Sequence, residues 1–213
     1  MQHRAKGFVL ALGLLSFIAL PASAQMWGFP DYAVPSATAG PSTFLAGTYG
    51  RGLNDASGKL DAFGAVVGRT SEILSFMGGV GMVIGGADDE ITLGGALGAD
   101  VVKGESATLA LQGGVGWMES GSTTMWRFPL GAAVKGYWES PEATIAPWVF
   151  PKVNISRVSN DFLENTETDF GTSVGVAFGF ASGFGVHTAL DVVFSENEVW
   201  TYGIGGHYIL GGN

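Results

Sequence analysis

The chain has 213 residues and a formal net charge of −9, and only 14% of its residues are charged, compared with about 25% in an ordinary soluble domain. The acidic balance argues against nucleic acid as a partner, because that role requires a basic surface. The sequence contains no cysteine, so a disulfide framework is excluded.

The first 24 residues have the features of a secretory signal peptide. Basic residues that include Arg4 and Lys6 precede an apolar run over 8–20, and a small-residue sequence ends at Ala24. The apolar run is too short to cross a hydrocarbon core of about 30 Å. We therefore predict cleavage between Ala24 and Gln25. Loss of Arg4 and Lys6 leaves 8 basic and 19 acidic residues, a net charge of −11.

The remainder divides into an N-terminal extension and a long β-rich segment. Residues 25–41 are interrupted by proline and glycine and have no clean period, whereas 42–213 breaks into short alternating runs separated by turn residues. Helical periodicity is absent from these runs. The sequence predicts ten strands, at 42–53, 60–70, 72–84, 91–102, 106–118, 124–138, 144–158, 169–181, 184–195 and 199–210.

The run 124–138 shows the kind of alternation that decides between two β architectures. Trp126 and Leu130 lie on one face, while Arg127 and Lys135 lie on the other among small residues. A soluble barrel or sandwich turns its apolar face inward and a polar face to water. A transmembrane barrel has an apolar outer band and a polar interior. The second face of the predicted strands consists mostly of glycine, alanine, serine and threonine, which suit a crowded interior better than a solvated surface. The transmembrane up-and-down antiparallel barrel is therefore favoured.

Connection lengths and aromatic positions predict how such a barrel is oriented. With the N-terminus in the periplasm, the longest connection, 159–168, falls on the outer side, as is typical of outer-membrane barrels. Aromatic side chains then form two belts at the membrane interfaces. The predicted outer girdle is Trp117, Trp126, Phe170, Phe194 and Trp200, and the predicted periplasmic girdle is Phe76, Trp138, Phe180, Phe184 and Tyr208.

This pattern resembles the small bacterial outer-membrane β-barrel proteins, the broad group that contains the OmpA-, OmpX- and opacity-type barrels. The resemblance covers 42–210 and is most specific in the last strand, where Gly205, Tyr208 and Leu210 fit the group's C-terminal assembly signal. Gly203 departs from the polar position of that signal, and the terminal aromatic residue is missing. The resemblance implies two partners, outer-membrane lipid and the barrel assembly machinery of a Gram-negative cell. Ten strands are predicted, with eight as the alternative.

Strand parity also predicts a polar interior. The side chains expected to line the lumen are Asp100, Gln112, Arg127, Lys135, Lys152, Asn154, His187, Asp191 and His207. Opposite charges in so narrow a space are expected to pair.

Some barrels of the group are enzymes, but their catalytic elements are not found in this sequence. There is no Asp-x-His or His-Ser pair, and four strand residues separate His187 from Asp191 by about 13 Å. No catalytic residue, metal site or cofactor is therefore predicted. The sequence predicts a structural or surface-interaction protein of the outer membrane with an unknown extracellular ligand. The alternatives are a narrow, porin-like passive channel for small solutes and, third, a lipid-modifying enzyme.

Overall fold

The computed structural model describes residues 41–86 and 88–210. The predicted signal peptide, and the predicted extension up to residue 40, lie outside these residues. Most of the described chain forms ten strands, and β6 is continued by the two-residue segment Trp138–Glu139. The strands are β1 Ser42–Gly52, β2 Asp61–Thr70, β3 Leu74–Ile84, β4 Glu90–Lys103, β5 Ala107–Ser120, β6 Thr123–Gly136, β7 Ala143–Ser159, β8 Glu164–Phe180, β9 Phe184–Phe194 and β10 Val199–Leu210.

The ten strands form one closed antiparallel barrel. Each strand pairs with the next strand along the chain, and β10 pairs back with β1, from Thr43 opposite Leu210 to Gly52 opposite Thr201. Closure satisfies the backbone hydrogen-bonding groups of neighbouring strands and removes the edges that an open sheet would expose. This confirms the predicted up-and-down barrel and its count of ten strands.

No helix in the described part of the chain is long and apolar enough to cross a membrane. A 3₁₀ turn, Asp55–Ser57, lies in the connection between β1 and β2. The side chain of Asn54 caps it by accepting a hydrogen bond from the backbone N–H of Ser57.

Alternate residues of each strand face the interior and the exterior. In β7, Trp148, Phe150 and Lys152 are buried, whereas Ile145 and Val149, on the opposite face, are exposed. A strand points successive side chains to opposite faces, so one register decides the position of every side chain. The buried face therefore carries the interior charges together with several large rings, while the exposed face is mostly apolar.

The two ends of the barrel differ in the connections that they carry. We call the end with the longer connections the loop end and the other the turn end. The loop end carries 53–60, 85–89, 121–122, 160–163 and 195–198, and the turn end carries 71–73, 104–106, 140–142 and 181–183.

The connection between β7 and β8 is shorter than the sequence predicted. A loop was expected over 159–168, but the two strands continue until Ser159 lies opposite Glu164, which leaves only 160–163 as the turn. Arg157 and Glu164 form an ion pair of 2.8 Å within this extension. Because both faces of the extension are polar, no alternation of apolar residues indicated that it was a strand.

Candidate functional site

The interior contains a buried ion cluster, formed by Arg127, Lys152, Asn154, Ser173 and Asp191. The ammonium of Lys152 contacts the carboxylate of Asp191 directly and donates to the Ser173 hydroxyl at 2.8 Å. The Ser173 hydroxyl also donates to Asp191. The side chains of Lys152 and Asp191 are 0% and 1% exposed, so both charges are removed from bulk water.

Arg127 completes this ion cluster from the neighbouring strand. Its guanidinium donates to the side-chain oxygen of Asn154 from Nη2 at 3.0 Å and from Nε at 3.3 Å. The same Nη2 lies 3.8 Å from the Asp191 carboxylate. Two cations therefore share one carboxylate, and the hydroxyl and amide oxygens contribute the further acceptors that buried charges need.

A histidine pair lies between the ion cluster and the turn end of the barrel. The Nδ1 atoms of His187 and His207 are 3.2 Å apart, and His187 Nε2 is 3.2 Å from the hydroxyl of Thr48. Both imidazoles are 2% exposed. The two imidazoles and the Thr48 hydroxyl therefore form one buried hydrogen-bonded network.

Large aromatic rings fill the interior around these polar groups. Phe44 and Phe150 are fully buried, and Trp148 is nearly so. The ammonium of Lys152 lies 5.6 Å from the centre of the Phe150 ring, a cation–π distance. None of these rings was among the predicted site residues. The signal was present, because Trp148 and Phe150 share the strand parity of Lys152.

The remaining predicted interior residues lie elsewhere along the barrel. Gln112 is buried on β5, and Lys135 is buried on β6 toward the turn end. Asp100 forms an ion pair of 3.7 Å with Lys103, whose ammonium also donates to the backbone oxygen of Glu72. The ion cluster thus brings together four of the nine predicted interior residues, Arg127, Lys152, Asn154 and Asp191. The other five, which are Asp100, Gln112, Lys135 and the two histidines, lie outside it.

The residues predicted as girdles lie on the outward face near the strand ends. Those expected on the outer side, Trp117, Trp126, Phe170, Phe194 and Trp200, lie on the loop-end half of their strands, and those expected on the periplasmic side, Phe76, Trp138, Phe180, Phe184 and Tyr208, lie at the turn end. The rings of Phe180 and Phe184 are stacked, with centres 6.4 Å apart.

The residues of the predicted assembly signal lie in β10, the strand that closes the barrel. Gly205 lies opposite Thr48 and Tyr208 lies opposite Leu45. The side chains of Tyr208 and Leu210 are exposed on the outward face. Residues 211–213 lie outside the described residues.

The loop end carries ion pairs that are open to solvent. Asp55 and Lys59 are 2.6 Å apart, and the ammonium of Lys59 lowers the pKa of the Asp55 carboxyl through a hydrogen bond and through its charge. Arg51 and Asp61 are 3.6 Å apart, and Asp61 also accepts from the Tyr49 hydroxyl at 2.6 Å. Pairs of this kind contribute little to stability. Within 41–86 and 88–210, no group of three or more histidine, cysteine, aspartate or glutamate side chains is arranged to hold a metal ion.

No family model and no curated protein matches this chain. It is similar to an outer membrane channel from Pseudomonas putida F1, with 12% identity, 84% of this chain aligned to 99% of that chain and a TM-score of 0.50. It is also similar to the N-terminal β-barrel domain of Pseudomonas aeruginosa OprF, with 12% identity, 80% and 98% coverage and a TM-score of 0.38. A third similarity is to a bacterial polysaccharide outer membrane secretin, with 7% identity, 80% coverage of this chain and a TM-score of 0.47, and the chain spans 66% of the length of that protein.

These similarities extend over most of the chain. The similarity to the Pseudomonas putida channel, at 12% identity, shows the fold alone, which is that of an outer-membrane β-barrel. The role of the chain is argued below from its own residues.

Proposed function

We propose that this protein is an integral outer-membrane barrel with a structural or surface-interaction role, and that its barrel is neither a pore nor an enzyme. The observation that carries the proposal is the filled interior. Phe44, Phe150, His187 and His207 are all 2% exposed or less, and the ion cluster lies on the loop-end side of them. A barrel of eight strands is just wide enough for side chains to fill, and ten strands widen it only modestly.

The outward face supports residence in a lipid bilayer. Leu45, Val67, Leu97, Leu111 and Leu130 are all exposed on it. A continuous aliphatic surface of this kind on a soluble protein would be an aggregation hazard, whereas on a closed barrel it is the surface that lipid covers. We propose that the protein reaches the outer membrane through a cleaved signal peptide and the barrel assembly machinery.

The hairpin of β7 and β8 is the element best placed to meet a partner. Both strands have 17 residues, the longest in the barrel, and their turn projects beyond the shorter β9, whose last residue lies opposite Phe170. At its tip, the side chain of Phe162 is 97% exposed, beside the partly exposed Leu163. Fixed loops on a rigid scaffold are where binding residues are most often found.

Chymotrypsin added to intact cells is expected to cut the chain after Phe162. The tip is exposed, and exposed loop tips are preferred sites of proteolysis. Immunoblotting against a C-terminal epitope would detect the fragment. The double variant Phe162→Ser, Leu163→Ser should resist cleavage. Cleavage of intact cells after Phe180, at the edge of the 181–183 turn, with Phe162 protected, would reverse the proposed orientation.

A narrow passive channel is the second candidate. It is favoured by the polar groups of the interior and by the fold similarity to a protein described as an outer membrane channel. The two proposals differ in whether water and ions can pass the buried aromatic and histidine side chains in the turn-end half of the barrel, and conductance decides between them.

A further inference from the structure

The strand β8 has a free backbone edge at the loop end. Its pairing with β9 ends where Phe170 lies opposite Phe194, but β8 begins six residues earlier, at Glu164. Over Glu164–Asp169, β8 pairs with β7 on one side. Among the described residues, no strand pairs with the other side. The barrel is closed within the membrane-spanning height and open along this extension.

The alternation of backbone hydrogen bonds identifies which groups lie on that edge. The backbone N–H of Asn160 donates to the oxygen of Leu163 at 2.9 Å, so these two residues form a hydrogen-bonded pair. In an antiparallel ladder hydrogen-bonded and non-bonded pairs alternate. The next pair, Ser159 opposite Glu164, is therefore non-bonded, and Glu164 directs its N–H and C=O away from β7. The same holds for Thr166 and Thr168, so the edge presents three donors and three acceptors.

The edge is acidic on both of its faces. Glu164 lies on the outward face and Glu167 and Asp169 lie on the inward face, and all three are exposed or half-exposed. Arg157 forms an ion pair with Glu164, and the positive charge of Arg127 acts on Asp169. Glu196 and Glu198, in the adjacent connection, add negative charge beyond the end of β9.

We infer that this edge binds an extended, basic segment of another polypeptide, which adds to β8 as a further strand. This inference rests on the proposed surface-interaction role. Free edges recruit strands because they present unpaired backbone groups, and strand addition is a recurrent mode of peptide recognition. A second copy of this chain is disfavoured as the occupant, because pairing two such edges would bring two sets of the acids Glu164, Glu167 and Asp169 onto adjacent strands.

The test uses the refolded barrel in detergent and a fluorescent peptide of about eight alternating threonine and lysine residues, a typical strand length. Binding is measured by fluorescence anisotropy. The variant Thr166→Pro removes a backbone N–H from the edge and places the proline ring there. We expect it to weaken peptide binding by about tenfold or more, because one hydrogen bond to the peptide is lost and the ring obstructs the approach of the peptide backbone. The matched control Thr166→Ala keeps the N–H and should bind as the wild type does.

Charge is tested separately with the double variant Glu167→Gln, Asp169→Asn. It should weaken binding of the lysine peptide and reduce its salt dependence, because exposed charges are screened by salt. A threonine–glutamate peptide of the same length should not bind. Faster migration of the unboiled sample on SDS gels shows that each variant is folded.

Three results would overturn the inference: no binding of the lysine peptide to the wild type, equal binding by Thr166→Pro, or equal binding of the glutamate peptide. Concentration-dependent dimerisation through this edge would also overturn it in favour of a second copy. None of these results alters the expected cleavage at Phe162 or the absence of conductance, so the inference can fail while the proposed function stands.

Discussion

Replacing Asp191 with asparagine is expected to lower the free energy of unfolding of the refolded barrel by about 3–5 kcal/mol, the cost of breaking a fully buried ion pair by removing one partner. Asp191 is 1% exposed and is the carboxylate that Lys152 and Arg127 share. Asparagine has nearly the same shape, so the effect isolates the charge. Without that charge, Arg127 and Lys152 lose the carboxylate that they share.

Urea unfolding in detergent, followed by tryptophan fluorescence, measures the change. The control is Asp161→Asn in the exposed turn between β7 and β8, where a surface substitution is expected to change stability by about 0.5 kcal/mol or less. Equal stabilities of the two variants would mean that water solvates the interior charges, and the filled-interior account would be wrong.

Replacing Gly131 with alanine is expected to have the second large effect, a destabilisation of about 1–3 kcal/mol or a failure to refold. An added Cβ would lie 2.9 Å from the Cα of Lys152 and 2.9 Å from the Phe150 ring, and closer still to the carbonyl oxygen of Pro151. Backbone atoms of β7 cannot move aside as a flexible side chain can, so β6 and β7 would have to separate.

The matched control for this substitution is Gly47→Ala on β1, where the nearest atom to an added Cβ is the Gly64 oxygen at 3.9 Å, an ordinary contact. Thermal unfolding in detergent compares the two variants. If Gly131→Ala is as stable as Gly47→Ala, the close approach of β6 and β7 is not a constraint on the barrel.

The barrel itself was predictable from the sequence, because the membrane imposes period-two alternation on every spanning strand. The predicted run 199–210 begins and ends with the observed β10, and 144–158 differs from β7 by one residue at each end. The same parity assigned Arg127, Lys152 and Asp191 to the inward face, where the structure buries them.

Other features depend on information that alternation does not contain. The extension of β8 over Glu164–Thr168 is exposed to solvent on both faces. It is a strand because it pairs with β7, and its sequence has no apolar alternation that would predict one. The ion cluster depends on the stagger between strands, which places Lys152 of β7 within reach of Asp191 of β9. Ser173, which bridges them, is a small residue on a face of glycine and alanine, and nothing local indicated its role.

Two prolines in the middle of strands also could not be placed from the sequence pattern alone. The pairing of β6 with β5 is interrupted opposite Pro129, and its pairing with β7 is interrupted at Pro151. Proline has no backbone N–H to donate, and in a sequence it argues against a central strand. Here the closed barrel accommodates both prolines within strands, because the strand pairing continues on either side of each interruption.

Single-channel recording of the refolded wild-type protein in a planar lipid bilayer tests the central claim most directly. If Phe44, Phe150 and the pair of His187 and His207 fill the turn-end half of the barrel, as their burial indicates, inserted protein should give no stable open steps under voltage. Insertion itself is verified by protease cleavage at Phe162. Stable conductance steps of an open pore, from protein shown to be inserted, would contradict the account and establish the channel instead.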